Sequence, residues 1–406
     1  MLKQYAYKFQ LRPNSHQAKQ MAQFAGCNRL VWNKALGLQK ERVEKKEKIY
    51  KYIELAGMLV EWKKDKQTKF LADTHSQTYQ QTLKNLDRAL REAFNKKSPK
   101  KFPVFKKKGL KDSFKYPQGF KVEQNNSRIF LPKIGWLRYR NSRTVEGDIK
   151  NVDVSKNCDK WYVSIQVEIE VKDRKHKSQS MIGIDVGITK LATLSNGETV
   201  EPLNSFRKYE KRLAFLQRGL SRKQKFSNNW KKHKKKISRL HFKIANARKD
   251  FLHKTTDKIG KNYAVVVMED LKVSNMSRSA SGTIENKGKN VKAKSGLNKS
   301  ILDQGWFEFR RQLEYKLKWR GGHLELVDPK HTSRKCSECG HIESGNRPSQ
   351  SKFECKNCGY SENADVNAAK NILAAGLAVF ACGGYDIGQP MKQEPAMSRV
   401  QDSACA

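Results

Sequence analysis

Acidic side chains are in short supply. Lys and Arg number 83 against 40 Asp and Glu, a formal net charge of +43 over 406 residues. Self-repulsion on that scale opposes folding, so the excess does not serve stability. It needs a polyanion to screen it, nucleic acid first and a membrane surface second. Long hydrophobic runs are missing as well. No segment approaches the ~20 continuous apolar residues of a membrane span, and the longest apolar run, Leu373 to Cys382, is interrupted by Gly376. The opening MLKQYAYKF lacks the apolar core of a secretory signal. The expectation is an intracellular, cytoplasmic protein bound to DNA, RNA or both, with no membrane partner. No histidine, serine or cysteine constellation suggests nucleophilic catalysis, and His323, His331 and His341 lack metal-ligand spacing.

Cysteine is sparse but not random. Residues 336–339 read CSEC, fifteen residues follow, and residues 355–358 read CKNC. Two Cys-x-x-Cys pairs at that separation place Cys336, Cys339, Cys355 and Cys358 at the corners of one tetrahedron, the geometry of structural Zn²⁺. Gly340 and Gly359 suit the tight turns that aim sulfur at a metal. A disulfide framework fits short secreted chains instead. Cys27, Cys158, Cys382 and Cys405 are scattered and read as reduced thiols.

Apolar periodicity divides the chain. Lys3 to Leu11 alternates as a strand, and helical patterns follow over 15–47 and 74–94. The lysine-dense SPKKFPVFKKKGLK from Ser98 has no period and reads as a linker. From Ser113 to Val171, short alternating runs separated by Asn, Gly and Lys predict a small antiparallel β-barrel. The polar 173–180 marks a boundary. Met181 to Val186 then reads as a buried strand, a hairpin turns at Ser195–Asn196–Gly197, and a coiled helical pair follows, with seams at Phe206 to Leu220 and Ile237 to Phe251. Tyr263 to Met268 is a second buried strand, 274–299 a flexible loop, 302–319 a helix and 323–327 a strand.

Three acids stand out by position. Asp185 lies in GIDVG inside an apolar strand, where a carboxylate is costly unless a metal or cation compensates it. Glu269 ends the second apolar strand. Asp365 opens a helix, where the dipole favours an anion. Each alone is open to a capping role. Together they follow the order of a ribonuclease-H-like sheet, two acids from neighbouring strands and a third from a later helix. Such a set suits two Mg²⁺ ions (Mn²⁺ also fits) in phosphodiester hydrolysis. Arg222 to Lys249 holds twelve Lys or Arg and no carboxylate. A solvated face normally mixes both signs, so Arg222, Lys223, Lys231, Lys234, Lys235 and Arg239 are candidate phosphate contacts.

These motifs together resemble the TnpB (OrfB) proteins of insertion sequences, relatives of the type V CRISPR effectors. GIDVG at 183–187, MEDL at 268–271 and NADVNAAKNI at 363–372 look like the three motifs of a RuvC nuclease domain. QGWFEFRRQLEYK from Gln304, the cysteine ribbon, FQLRPNSHQ from Phe9, GCNRLVWN from Gly26 and FPVFKKKG from Phe102 are similar to that family in the same order. The resemblance implies a multidomain α/β protein: a barrel whose first strand is 1–14 and remainder 112–175, interrupted by a helical recognition lobe and basic linker at 15–111. A RuvC-like nuclease domain, 181–328 with a basic helical pair at 205–260, would follow. It would carry an inserted zinc ribbon at 329–362, a closing motif and helix at 363–382, and a disordered tail at 383–406. It also implies an enzyme, a monomeric ribonucleoprotein holding guide RNA from the element end and cutting target double-stranded DNA beside a short adjacent motif. That motif would be read near Tyr50, Ser76 and Gln80. A nuclease-inactive RNA-guided repressor and a strand-transfer or accessory transposase are the alternatives.

Overall fold

The computed structural model describes residues 2–171 and 174–383; the tail expected to be disordered lies outside the described residues. The chain divides into two compact units, Met1–Lys172 and Asp173–Ala406.

The first unit opens with β1 (Leu2–Arg12), then α1 (Ser15–Glu44), α2 (Tyr52–Lys64) and α3 (Ser76–Phe94). It continues through β2 (Ser113–Tyr116), β3 (Lys121–Glu123), β4 (Arg128–Leu131), β5 (Gly135–Tyr139), β6 (Asp148–Asn157) and β7 (Lys160–Glu170). Asn14 caps α1 in a reciprocal box, its side chain accepting from Gln17 N while Gln17 returns to Asn14 N. The thirty-residue α1 serves two cores. Met21, Phe24 and Ala25 pack on the sheet, whereas Val31, Ala35 and Leu36 pack with Leu55 of α2 and Leu83 and Leu86 of α3.

The strands form one sheet in the order β2-β6-β7-β1-β5-β4-β3. β1 is shared: Leu2–Gln10 pairs with β7, and Leu11–Arg12 pairs with β5. The expected closed barrel is therefore corrected to an open sheet. Its edge strands β2 and β3 have four and three residues and do not pair with each other, so no ladder closes the ring. α2 lies where the sequence pattern predicts no helix, although Leu55, Leu59 and Trp62 recur at helical spacing and are buried.

The second unit contains β8 (Met181–Asp185), β9 (Ala192–Leu194), β10 (Thr199–Val200), α4 (Ser205–Ser221), α5 (Asn228–Asn262) and β11 (Val265–Glu269). It continues with α6 (Val273–Met276), α7 (Val291–Gln304), α8 (Trp306–Arg320), β12 (His323–Val327), β13 (Lys352–Glu354), β14 (Ser361–Asn363) and α9 (Ala364–Gly383). The main sheet runs β10-β9-β8-β11-β12, with β8, β11 and β12 parallel and β9 and β10 antiparallel. Gly197 at φ 88° makes the β9–β10 turn, as its Asn-Gly pair requires.

Alternation sends each parallel strand to both faces. Ile182, Ile184, Val266 and Met268 pack under α5, α7 and α8, through Leu252, Ile301, Phe309 and Leu313. Val265 and Val267 face the other way, toward Ile372 of α9. Gly183 permits this second layer: a Cβ there would collide with the backbone of Ala369 and Leu373. The loop expected at 274–299 instead carries α6 and the start of α7. Its few apolar residues conceal a helix that buries only Ile301, Asp303 and Gln304. Gly305, at φ 74°, separates α7 from α8, where periodicity alone predicts a single helix.

Candidate active site

The parallel pairing of β8 and β11 aligns Ile184 with Met268. The residues that follow, Asp185 and Glu269, therefore emerge side by side at the carboxyl ends of adjacent strands. Asp365 arrives from the other layer, in the first turn of α9. There the side-chain oxygen of Asn363 accepts from Asp365 N at 3.0 Å and Val366 N at 3.3 Å, capping the helix.

Burial pushes the Asp185 carboxyl up to about 7, and the charges of Glu269 and Asp365 add to the rise. Arg347 and the Val186 backbone N–H oppose it. Burial also raises Glu269, against the Thr332 hydroxyl, which donates to its Oε1 at 2.6 Å. Arg347 Nη2 stands 3.2 Å from Asp365 Oδ1 and donates to the Gln350 carbonyl at 2.7 Å. Asp185 and Glu269 are thus held toward the protonated form by burial, and a bound cation would offset that cost.

The four cysteines occupy the segment between β12 and α9. Their sulfurs all lie within 4.8 Å of one another, and among the described residues they alone form a metal-type cluster that tight. Cys336 and Cys358 Sγ are 3.8 Å apart, Cys339 and Cys355 Sγ 3.5 Å. A tetrahedral ion with Zn–S bonds near 2.3 Å sets sulfurs about 3.8 Å apart, so the donor set fits zinc. Each pair folds alike. Gly340 N donates to Cys336 O and Gly359 N to Cys355 O, both at 3.0 Å, and both glycines have positive φ.

Buried asparagines join this ribbon to the acids. Asn367 on α9 accepts from Ser337 N at 3.0 Å and donates to Lys335 O at 2.8 Å. Asn371, one turn on, donates to the Thr332 and Lys335 carbonyls at 2.9 and 2.6 Å. Asn346 spans the knuckles, donating to Arg334 O and accepting from Lys356 N. Sequence reasoning missed Thr332, Arg347, Asn367 and Asn371. The one visible signal was the pair of asparagines at helical spacing inside an otherwise apolar helix.

The candidate nucleic-acid contacts lie outside β8, β11 and α9. Arg222, Lys231, Lys234, Lys235 and Arg239 are exposed along α4 and α5, and Lys223 is half-buried. Beneath them Leu213, Leu240 and Ile244 form the seam of the pair. Lys234 also lies over the Trp230 ring at 4.9 Å. Ser76 and Gln80 share an exposed face of α3 in the other unit, Ser76 accepting from Lys63 Nζ at 2.7 Å. The Tyr50 ring is covered by Arg42 at 4.3 Å. Among the described residues no helix is long and apolar enough to cross a membrane.

Comparison with known proteins adds a second line. The OrfB_IS605 model, described as "Probable transposase", matches residues 164–280. A "Cas12f1-like, TNB domain" matches 306–372, which holds the ribbon and the start of α9. A "Helix-turn-helix domain" of the OrfB_IS605 group matches 1–48, the span of β1 and the single helix α1. The "Putative RNA-guided DNA endonuclease InsQ" of Escherichia coli (strain K12) is 58% identical over 96% of this chain and 97% of its own. A "Putative RNA-guided DNA endonuclease" of Streptomyces pristinaespiralis is 34% identical over 93% and 90%. The "CRISPR-associated endodeoxyribonuclease Cas12f1" of Sulfoacidibacillus thermotolerans is 28% identical over 57% and 52%.

Proposed function

Because this chain belongs to the TnpB (OrfB) family of insertion-sequence proteins, we propose that it is a guide-RNA-directed DNA endonuclease of a transposable element. Its reaction is phosphodiester hydrolysis at a RuvC-like site. The observation that carries this reading is the meeting of Asp185, Glu269 and Asp365 from two parallel strands and a following helix, close enough that Asp185 feels both other charges.

Each acid has a distinct task. Asp185, deepest in the sheet and the most resistant to ionisation, is the ligand whose charge most requires a bound cation. Glu269 is oriented by Thr332 and Asp365 by Arg347, so that both present oxygens in fixed directions. Asp185, Glu269 and Asp365 would hold Mg²⁺, which would supply activation of a water and stabilisation of the leaving 3′ oxygen. Cys336, Cys339, Cys355 and Cys358 would hold Zn²⁺ in a structural part, fixing the segment that carries Arg347 and packs on α9.

Sequence selection would come from pairing between guide and target strand, with the protein contributing shape recognition and charge. The exposed lysines and arginines of α4 and α5 suit contact with nucleic-acid backbones and carry no sequence information. Purified protein with its copurifying RNA, matched target DNA and Mg²⁺ provides the test. Cleavage is expected in the wild type and lost in Asp185→Ala, while target binding by the variant survives. Wild-type protein that binds its target without cutting would leave the repressor reading in place, and joined rather than hydrolysed ends would favour strand transfer.

A further inference from the structure

The acids do not end at a bare surface. Beside Glu269 opens a cavity of about 490 Å³, walled by Val186, by the segment after β11 and by the α7–α8 junction. That size lies within the roughly 300–1,000 Å³ of small-ligand sites. Phe307 lines it and is 69% exposed, whereas its neighbours Trp306 and Phe309 on α8 are buried in the core. Trp306 lines the same cavity and, at 5% exposure, forms part of its fixed floor. Lys272 and Asn275 supply a charged and an amide group to the lining.

We propose that this cavity receives one unpaired nucleobase of the DNA strand being cut, with Phe307 as its stacking face. The proposal rests on the nuclease reading above and names where that site grips its substrate. Glu269 lines both the cavity and the acid cluster, so whatever enters one lies next to the other. A strand drawn to the acids for cutting is single there, and its bases have lost their neighbours. An exposed aromatic face restores that stacking without reading sequence, because every base has a π-face. Lys272 matches the charge of the flanking phosphate. Asn275 suits the polar edge of the base. The outcome is a requirement for a base at one position relative to the cut, whatever its identity.

The experiment uses full-length protein with its guide RNA, target DNA and Mg²⁺. A single abasic residue is stepped along the cleaved strand for the wild type, Phe307→Ala and Phe307→Tyr. Stacking losses of this kind correspond to about tenfold in rate. The wild type is expected to lose about tenfold at one abasic position. Phe307→Ala loses about tenfold on intact DNA and nothing more at that position, and Phe307→Tyr stays near the wild type. Melting curves confirm that the exposed substitution leaves the fold intact. A flat abasic scan in a wild type that cuts, or losses that multiply, overturns the base site alone. A wild type with no guide-dependent cut overturns the nuclease reading and this proposal with it.

Discussion

At Asp185, burial and two neighbouring carboxylates favour the protonated form, and the sign of that effect fixes a response to pH. Its carboxyl titrates near 7 in the folded chain, far above its ordinary value of 3.8. Between those values the folded state holds a proton that the unfolded state has released, so this group's contribution to stability declines as pH rises from about 4 to about 7. In metal-free buffer Asp185→Asn should therefore melt higher than the wild type at pH 8, by on the order of 2 °C or more, with the gap closing toward pH 4. A gap that is the same at both ends of a calorimetric pH series would contradict the burial argument. Added Mg²⁺ should narrow the gap at pH 8 by stabilising the wild type alone. Asp185 and Glu269 were legible in the sequence because charge inside or at the end of an apolar strand is costly, and Asp365 because it followed them in the right order at a helix start. Thr332 and Arg347 were not. Nothing local distinguishes a threonine or arginine in a polar loop, and their roles exist only once that loop folds back over β11 and α9.

Among elements, α9 takes part in the most structures at once. Its apolar side packs on the sheet through Ile372, its first turn presents Asp365, and Asn367 and Asn371 hold the cysteine ribbon. Damage to the metal module should consequently reach the acids. Cys355→Ser is expected to lower zinc content and to reduce DNA cleavage by tenfold or more, although every carboxylate remains. Unchanged zinc stoichiometry by elemental analysis would refute the ligand assignment; lost zinc with full cleavage would refute the coupling through α9. The ribbon was readable because metal geometry imposes its own spacing on the sequence. Among the missed helices, α2 and α7 had no such constraint. α2 lies beside a lysine-rich stretch, and α7 buries one apolar residue, so tertiary contacts rather than periodicity define it.

On the scale of the whole molecule, charge outweighs every other feature. The excess of +43 makes affinity for RNA and DNA depend steeply on salt, through counterion release. Replacing Lys231, Lys234 and Lys235 together with Gln should weaken nucleic-acid binding and reduce the log–log salt slope by about 2–3, roughly 0.7–0.9 for each phosphate left without its cation. An unchanged slope would remove α5 from the nucleic-acid surface. The sequence showed this charge and the strand alternation of the first unit, but not whether its sheet closes, because alternation does not say that the consecutive strands β2 and β3 end at opposite edges instead of pairing. The shared strand β1 carries a consequence for biosynthesis. It leaves the ribosome long before its main partner β7, since Leu2 pairs with Glu170. At about 5–20 residues per second, roughly ten seconds or more pass before that partner exists. Until then the β7-facing edge of β1 is open to neighbouring nascent chains. Lys3, Lys8 and Arg12, spaced along the strand, discourage two such strands from pairing with each other by like-charge repulsion.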